Sequence, residues 1–465
     1  MKAARPSKGI PKRPHQFWLA RPGHSATTPE KLVIPQGKPF ENVAWLVTER
    51  MLRLGTSTLV MVIVARHLTP AGFGELSVAL AAVALAMPLA QSGLDALVVA
   101  ELIRRPGDTG TLLGTSAAMR LGAGLMVLLP LFGYGRLIVS ASVLIPVSLL
   151  LLFQAGEVTD LWFQRHLRSR WTAGARFTAL TLGAVVKLWL VWRGAGVIWF
   201  AWAQAIESFL FSSALALAYR RAGGRFADWR FDGRLAGSLL SQSWLLALSG
   251  MTVAIFMQLD QLLVKHWLDA GAAGCYAAAN RIIELPLFIT AALTMSLFPG
   301  LTASHGDGGE TFRVRLQEVF DLLSIIGWIV VLGLSLLGPS LIRVLFGGAY
   351  APAAAVLVIK VWACLFLFSG SVRGQFIVLT AAAATNLTAA VVGIVVQVAL
   401  AWWLIPGHGI AGAALAFVVA SAVSGWMLSF ALPALTPCAG VQTSALLIPF
   451  FPHRWKNSLR PLFLP

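Results

Sequence analysis

Charged residues are scarce in this sequence. Only 12% of its 465 residues are Asp, Glu, Lys or Arg, while 57% are hydrophobic; ordinary globular chains carry about 25% charged residues. So few polar groups cannot cover so much apolar surface in water, which excludes an ordinary water-soluble protein. We therefore predict an all-α integral membrane protein whose main solvent is lipid.

Cysteine is also scarce, and several catalytic motifs are absent. Cys275, Cys364 and Cys438 form no CxxC pair, which argues against a disulfide framework and a cysteine metal site. The sequence holds no P-loop, no HExxH and no G-x-S-x-G, so ATP coupling or hydrolysis by this chain has no visible basis. We expect no cofactor and no enzymatic activity.

Acidic residues are outnumbered by basic ones, 19 against 36, which gives a formal charge of +17. Such a surplus is typical of nucleic-acid-binding proteins, but here it collects in the tails and in alternate loops, so we predict no nucleic-acid partner. Residues 1–42 carry eight Lys or Arg and no apolar run, which excludes a cleavable signal peptide. We interpret them as a disordered basic cytoplasmic arm.

Apolar runs follow this arm, each near the 17–25 residues that a membrane-spanning helix needs. We predict twelve such spans. They are residues 43–65, 73–94, 111–132, 137–157, 172–192, 196–218, 236–260, 273–298, 320–342, 353–379, 384–405 and 409–432.

The loops between these spans alternate in basic charge. Loops after spans two, four, six and eight hold thirteen Arg, whereas the alternate loops hold five Lys or Arg. Cytoplasmic loops carry the excess of such residues, so both termini are predicted to be cytoplasmic.

The sequence also looks duplicated. ARHLTPAGFGELSVALAAVAL from Ala65 aligns with KHWLDAGAAGCYAAANRIIEL from Lys265, pairing Gly74 with Gly274, and GAGVIWFAWAQAIES from Gly194 resembles GHGIAGAALAFVVAS from Gly407. Copies six spans apart have the same orientation, and parallel repeats place a site between the halves. We predict six-helix bundles at 43–219 and 236–432 around a central cavity, a basic cytoplasmic linker at 220–235 and a cytoplasmic tail at 433–465.

Ionisable residues inside the spans are candidates for that site, because a charge at membrane depth usually faces a bundle interior. Lys187 and Lys360 can instead extend to the outer interface, whereas four arginines lie too deep to do so. The four expected to line the cavity are Arg50, Arg53, Arg120 and Arg281. Arginine suits a phosphate or pyrophosphate head. Local pairing, as between Arg281 and Glu284, is the alternative.

Three other intramembrane residues are weaker candidates for a cavity, gate or coupling role: Asp260, Arg373 and Glu207. For Asp260, an outer gate or a coupling-ion site competes with a helix cap or a polar contact between helices.

Three segments resemble signatures of one family. They are LTPAGFGELSVALAAVALAMPLAQSGLDALVVAELIRR (68–105), LDQLLVKHWLDAGAAGCYAAANRIIELPLFITAALTMSLFPGL (259–301) and LWFQRHLRSRWTAGAR from Leu161. The first two are similar to the first- and second-repeat signatures of polysaccharide exporters, and the third to the basic loop after span four. The chain thus resembles the O-antigen and exopolysaccharide (Wzx-type) flippases of the multidrug/oligosaccharidyl-lipid/polysaccharide exporter superfamily.

This resemblance implies a function. Such flippases carry an undecaprenyl-pyrophosphate-linked glycan from the cytoplasmic to the periplasmic leaflet of the bacterial inner membrane, and a glycan polymerase and glycosyltransferases of the same pathway are candidate partners. Arginines in their first and eighth spans help bind the lipid head, which implies that role for Arg50 or Arg53 and for Arg281. The alternatives are a multidrug antiporter of the superfamily, a membrane glycan polymerase or ligase, and a passive scaffold.

Overall fold

The computed structural model describes residues 39–135, 139–166, 168–307, 309–380, 383–451 and 454, with side chains from Gly55 onward except at positions 134, 169, 299, 303, 305–307 and 383. The chain forms two units, residues 1–46 and 47–465, and every contact described below lies within the second. The predicted arm at 1–42 lies outside the described residues, apart from the helical backbone of 39–42.

Within the described ranges the chain is helical and has no β-strand. The helices of the first half are α1 (Pro39–Gln91), α2 (Asp95–Arg104), α3 (Thr109–Gly135), α4 (Ala141–Ser148), α5 (Leu150–Phe153), α6 (Val158–Arg165), α7 (Ser169–Trp192) and α8 (Val197–Arg221). Those of the second half are α9 (Gly233–Trp267), α10 (Ala270–Asp307), α11 (Gly309–Phe346), α12 (Pro352–Lys360), α13 (Ala363–Leu379), α14 (Ala383–Ala422), α15 (Leu428–Ala431) and α16 (Thr436–Leu446).

Ten segments of the described chain are long and apolar enough to cross a bilayer. Two of them, Gly55–Arg104 with 50 residues and Ala384–Ala431 with 48, have twice the length that one crossing needs. Each is broken by a residue with positive φ, Thr69 (62°) and Gly409 (56°). Thr69 precedes a proline, which disfavours the helical conformation. Counting these two segments twice gives the twelve predicted crossings, and the predicted all-α membrane fold is confirmed.

The outer surface agrees with a lipid environment. Large apolar side chains such as Leu129, Leu336 and Trp402 are 70–79% exposed, an arrangement that water would penalise and hydrocarbon does not. The largest cluster of buried apolar side chains, by contrast, contains residues of both halves, including the fully buried Phe73 and Tyr276. The two halves therefore share a core.

The duplicated segments contact each other reciprocally. A Cβ placed on Gly74 would lie 1.8 Å from the Ala270 carbonyl oxygen, and one on Gly274 would lie 1.9 Å from the Pro70 carbonyl oxygen. The sequence alignment pairs these same four positions, Pro70 with Ala270 and Gly74 with Gly274. Such reciprocity is what an approximate two-fold relation between the repeats produces, and only glycine permits so close a backbone approach.

Two further hydrogen bonds join the halves at this end. The Tyr350 hydroxyl donates to the Ala65 carbonyl (2.7 Å), and the Arg66 guanidinium donates to the Val344 carbonyl (2.7 Å). Burial raises the pKa of Tyr350 well above its ordinary value, so its hydroxyl remains a donor. At the opposite end, Gly93 approaches α9, with its Cβ position 2.7 Å from the Ala247 amide nitrogen.

The segments predicted to be a linker and a tail both pack on the bundle. In the linker, Thr115 of α3 donates to the Arg230 carbonyl (3.4 Å) and accepts from the Asp232 amide (3.0 Å). In the tail, α16 lies against α11, where the Trp328 indole donates to the Leu446 carbonyl (2.9 Å). The predicted domain boundaries and the cytoplasmic placement of both segments remain predictions.

Candidate functional site

A cavity of about 320 Å³ lies between the two halves. Its walls come from α1, α5, α7 and α8 of the first half and from α9 and α10 of the second. A chamber between the halves is what parallel repeats are expected to enclose.

The two repeats contribute equivalent positions to the cavity wall. Offsetting the sequence by the 200 residues that align Gly74 with Gly274 matches five pairs of lining residues: Met61 with Gln261, Ser77 with Ala277, Leu80 with Asn280, Ala81 with Arg281, and Ala84 with Glu284. In four pairs the second copy is polar or charged where the first is apolar. The α1 wall is therefore largely apolar, and the wall from α9 and α10 is largely polar.

One ion pair in the cavity joins α7 to α8. The Lys187 ammonium lies 2.5 Å from Glu207 Oε2 and donates to Gln204 Oε1 at 3.0 Å. Gly183, one helical turn before Lys187, makes room for the carboxylate, because a Cβ there would lie 2.7 Å from Glu207 Oε2. The two charged side chains are only 13% and 18% exposed, so each depends on the other for neutralisation.

A second ion pair lies within α10. The Arg281 guanidinium donates to Glu284 Oε2 at 2.9 Å across three residues, and the two side chains are 31% and 50% exposed. The described side chains of the lining thus carry two cations and two carboxylates. This balance differs from the positive surplus counted along the sequence, because membrane-buried cations are stabilised by pairing with acids.

The predicted site residues do not all meet. Glu207 and Arg281 line the cavity, whereas Arg120 and Arg373 do not. Arg120 is 3% exposed and pairs with Asp95.

Arg373 forms a hydrogen bond with a backbone carbonyl where the regular α-helix is interrupted. It donates to the Ser424 carbonyl (2.6 Å) in the π-helical turn Val423–Met427. The side chains of Arg50 and Arg53 lie outside the described residues, and their backbone belongs to α1. Their predicted role remains a prediction.

Asp260 lies one residue before the lining residue Gln261 but faces away into the second half. Its carboxylate is 1% exposed, accepts from the Tyr276 hydroxyl (2.5 Å) and pairs with Lys360. The Lys360 ammonium also donates to Asn280 Oδ1 (2.7 Å) and lies 4.1 Å from the Phe417 ring centroid. Of the two alternatives for Asp260, this geometry favours a polar contact between helices.

Sequence reasoning missed several residues of this site. The expectation that Lys187 and Lys360 extend to the outer interface is wrong, since both pair with acids inside the bundle. The available signal for Lys187 was Glu207, since both flank the same short turn between α7 and α8. The lining amides of Gln204, Gln258, Gln261 and Asn280 gave no separate signal, because uncharged polar residues are common in spans.

Comparisons with known proteins identify the family to which the chain belongs. Residues 63–355, more than half of it, match the family model described as "Polysaccharide biosynthesis protein". The succinoglycan biosynthesis transport protein ExoT of Rhizobium meliloti (strain 1021) is 28% identical over 339 residues. That match covers 68% of this chain and spans 64% of the relative's length.

Solved structures agree on the fold. The lipid II flippase MurJ in an inward closed conformation superposes with a TM-score of 0.71 at 13% identity, covering 88% of this chain and 92% of that one. A multidrug resistance MATE family transporter in an inward-facing conformation gives a TM-score of 0.61 at 15% identity, covering 86% and 96%. The chain therefore belongs to the polysaccharide biosynthesis protein family and has the multi-pass fold of the multidrug/oligosaccharidyl-lipid/polysaccharide exporter superfamily.

Proposed function

We propose that this protein flips an undecaprenyl-pyrophosphate-linked oligosaccharide across the bacterial inner membrane by alternating access. One observation carries the proposal: among the described side chains, each cation on the cavity wall, Lys187 and Arg281, is held by a carboxylate that an anionic ligand can replace. The match to the polysaccharide biosynthesis family and the name of the succinoglycan relative, a transport protein, also support a role in glycan transport. Both termini are proposed to be cytoplasmic.

Binding of the head group is proposed to be an exchange of counter-ions. Glu207 and Glu284 neutralise Lys187 and Arg281. A pyrophosphate brings its own negative charge, and its oxygens accept charge-assisted hydrogen bonds from the same donors. The exchange keeps each cation paired, and the displaced Glu207 and Glu284 carboxylates must in turn take up a proton or water, because a bare charge of either sign is costly in a low-dielectric cavity. Arg50 and Arg53 in the first span are proposed to contribute to the same head-group site.

The unequal walls fit an amphipathic cargo. The polar wall from α9 and α10 suits a glycan pyrophosphate, and the apolar side chains of the α1 wall, such as Leu80 and Met87, suit the first isoprene units of the lipid, whose remainder stays in the bilayer.

Alternating access requires contacts at the two ends of the cavity to open in turn. We propose the Gly74–Gly274 contact as the gate at one end and the approach of Gly93 to α9 as the gate at the other. The loops around Gly74 and Gly274 are those predicted to be periplasmic. A glycan polymerase and glycosyltransferases are the proposed partners that use or supply the cargo.

The experiment is reconstitution in proteoliposomes with a fluorescent polyprenyl-pyrophosphate-linked glycan, read by a membrane-impermeant quencher. Arg281→Ala and Lys187→Ala are each expected to slow flipping about 10-fold or more, because a hydrogen bond to a charged group contributes about 1.5–3 kcal/mol. Arg343→Ala removes an exposed arginine outside the cavity and should leave the rate unchanged.

Two results would contradict the proposal. If both cavity variants fold and flip the lipid at the wild-type rate, the assignment of Arg281 and Lys187 to a head-group site is refuted. A wild-type protein that moves a cationic dye in exchange for protons, and flips no lipid, would favour the multidrug antiporter instead.

A further inference from the structure

Two residues that line the cavity each carry a buried polar side-chain atom without a hydrogen-bond partner among the described residues. These atoms are Ser77 Oγ on α1 and Gln261 Nε2 on α9. Each residue is only 5% exposed, and both line the central cavity. Buried hydroxyl and amide groups nearly always have a partner, and a ligand in the cavity would supply one if both side chains turn toward it.

Neighbouring groups do not satisfy the Gln261 amide. Asp260, the preceding residue, accepts from Tyr276 and from the Gln261 backbone amide (2.8 Å). Asn280, also on the wall, accepts from Lys360. Asp260 and Asn280 are thus engaged by other donors.

The fold does not require either polar atom. The position equivalent to Gln261 in the first repeat is Met61, and the position equivalent to Ser77 in the second is Ala277; all four line the same cavity. Because Met and Ala occupy corresponding places on the facing repeat, helix packing here accepts an apolar side chain. The polar groups are better explained by a ligand than by the architecture.

We infer that Ser77 and Gln261 form a subsite for the first sugar of the glycan, next to the pyrophosphate site at Arg281 and Lys187. This inference rests on the proposed function. The Gln261 amide donates to a sugar hydroxyl or acetamido oxygen, while the Ser77 hydroxyl both donates and accepts, as a sugar hydroxyl does. The cavity lining holds uncharged polar groups as well as cations, and the cargo likewise holds a neutral sugar attached to a diphosphate.

The test compares probes that differ in the sugar alone. The full chain in nanodiscs is titrated with farnesyl pyrophosphate, with its hexosyl ester and with its N-acetylhexosaminyl ester, and tryptophan fluorescence gives the affinity. Gln261→Met and Ser77→Ala, which install the side chains of the opposite repeat, should each weaken the preferred sugar-bearing probe about 3- to 10-fold, as loss of one hydrogen bond predicts. Affinity for farnesyl pyrophosphate should not change.

The chain offers a matched control for each variant. Gln397 and Ser324 also have unpartnered, buried side-chain atoms among the described residues, but they lie outside this cavity lining. Gln397→Met and Ser324→Ala should leave affinity for every probe unchanged.

The outcomes separate the two proposals. Equal wild-type affinity for bare and sugar-bearing probes, or equal losses for all probes in the cavity variants, would overturn the subsite and leave the pyrophosphate site standing. Failure of the wild-type protein to bind any probe would overturn both. A preference for the hexosyl or the N-acetylhexosaminyl probe would support the subsite and identify the acceptor oxygen.

Discussion

Removing the carboxylate of Glu207 should strengthen anion binding. In the proposed exchange, Glu207 competes with pyrophosphate for Lys187, so Glu207→Gln removes the competitor and keeps the shape. A charge-assisted hydrogen bond contributes about 1.5–3 kcal/mol, and the pair is mostly buried, at 13% and 18% exposure. The amide that this substitution introduces would still accept a weaker hydrogen bond from Lys187, so the ligand gains only part of this energy. We therefore expect pyrophosphate affinity to rise about 10-fold.

Gly183→Ala should produce a graded form of the same effect. A Cβ at Gly183 would lie 2.8 Å from Glu207 Cγ, about 0.7 Å inside normal carbon–carbon contact. The carboxylate must therefore shift by a similar distance, which lengthens its 2.5 Å contact with Lys187. We expect a rise in affinity smaller than that of Glu207→Gln. Alanine suits the helix better than glycine, so the fold should not suffer.

Isothermal titration with inorganic pyrophosphate measures the affinity, and the proteoliposome assay measures turnover. Tighter binding should slow release, so flipping should fall while affinity rises. Glu310→Gln removes an exposed carboxylate at the start of α11 and serves as the control. Weaker or unchanged pyrophosphate binding by a folded Glu207→Gln protein would refute the exchange mechanism.

Two further predictions concern the gate and the buried ion pair. Gly74→Ala or Gly274→Ala should hold the two halves apart where these glycines meet, because the added Cβ overlaps a backbone oxygen. The reactivity of cysteines engineered nearby toward a water-soluble reagent should therefore increase. Gly72→Ala is the control and should have no effect, because its Cβ would make only a 3.4 Å contact. Asp260→Asn should lower thermal stability strongly, by about 3–5 kcal/mol, because it leaves Lys360 buried without its counter-ion. The double change with Lys360→Met should recover much of that loss, and equal melting temperatures for the single and double variants would contradict this account.

Hydropathy and the internal repeat predicted the architecture well. Apolar length determines which segments cross the membrane, and the two broken helices were predicted as four spans from their apolar runs. The structure places the breaks at Thr69, between the first two spans, and at Gly409, the first residue of the last. The aligned pair Gly74 and Gly274 was visible as a sequence match. Its reciprocal contact could not be predicted, since it depends on how two distant helices approach.

The site was predicted less completely, for a physical reason. Hydropathy fixes the depth of a residue in the bilayer but not the direction in which it points around its helix. Arg120 and Arg281 are both at membrane depth, yet one pairs with Asp95 inside the first half and the other lines the cavity. The Asp260–Lys360 pair joins residues 100 positions apart, so only tertiary packing could reveal it.

The two repeats differ in the polarity of the residues that line the cavity, and this difference affects how a ligand can orient there. Had both copies carried the same polar residues, a ligand would have found two equivalent poses related by a half-turn, and neither would have been preferred. With Asn280 and Arg281 at the positions where the first repeat has Leu80 and Ala81, the two poses differ in their contacts. A cargo with unlike ends would then bind in one orientation, because the two repeats that enclose the cavity differ in the polarity of their lining residues.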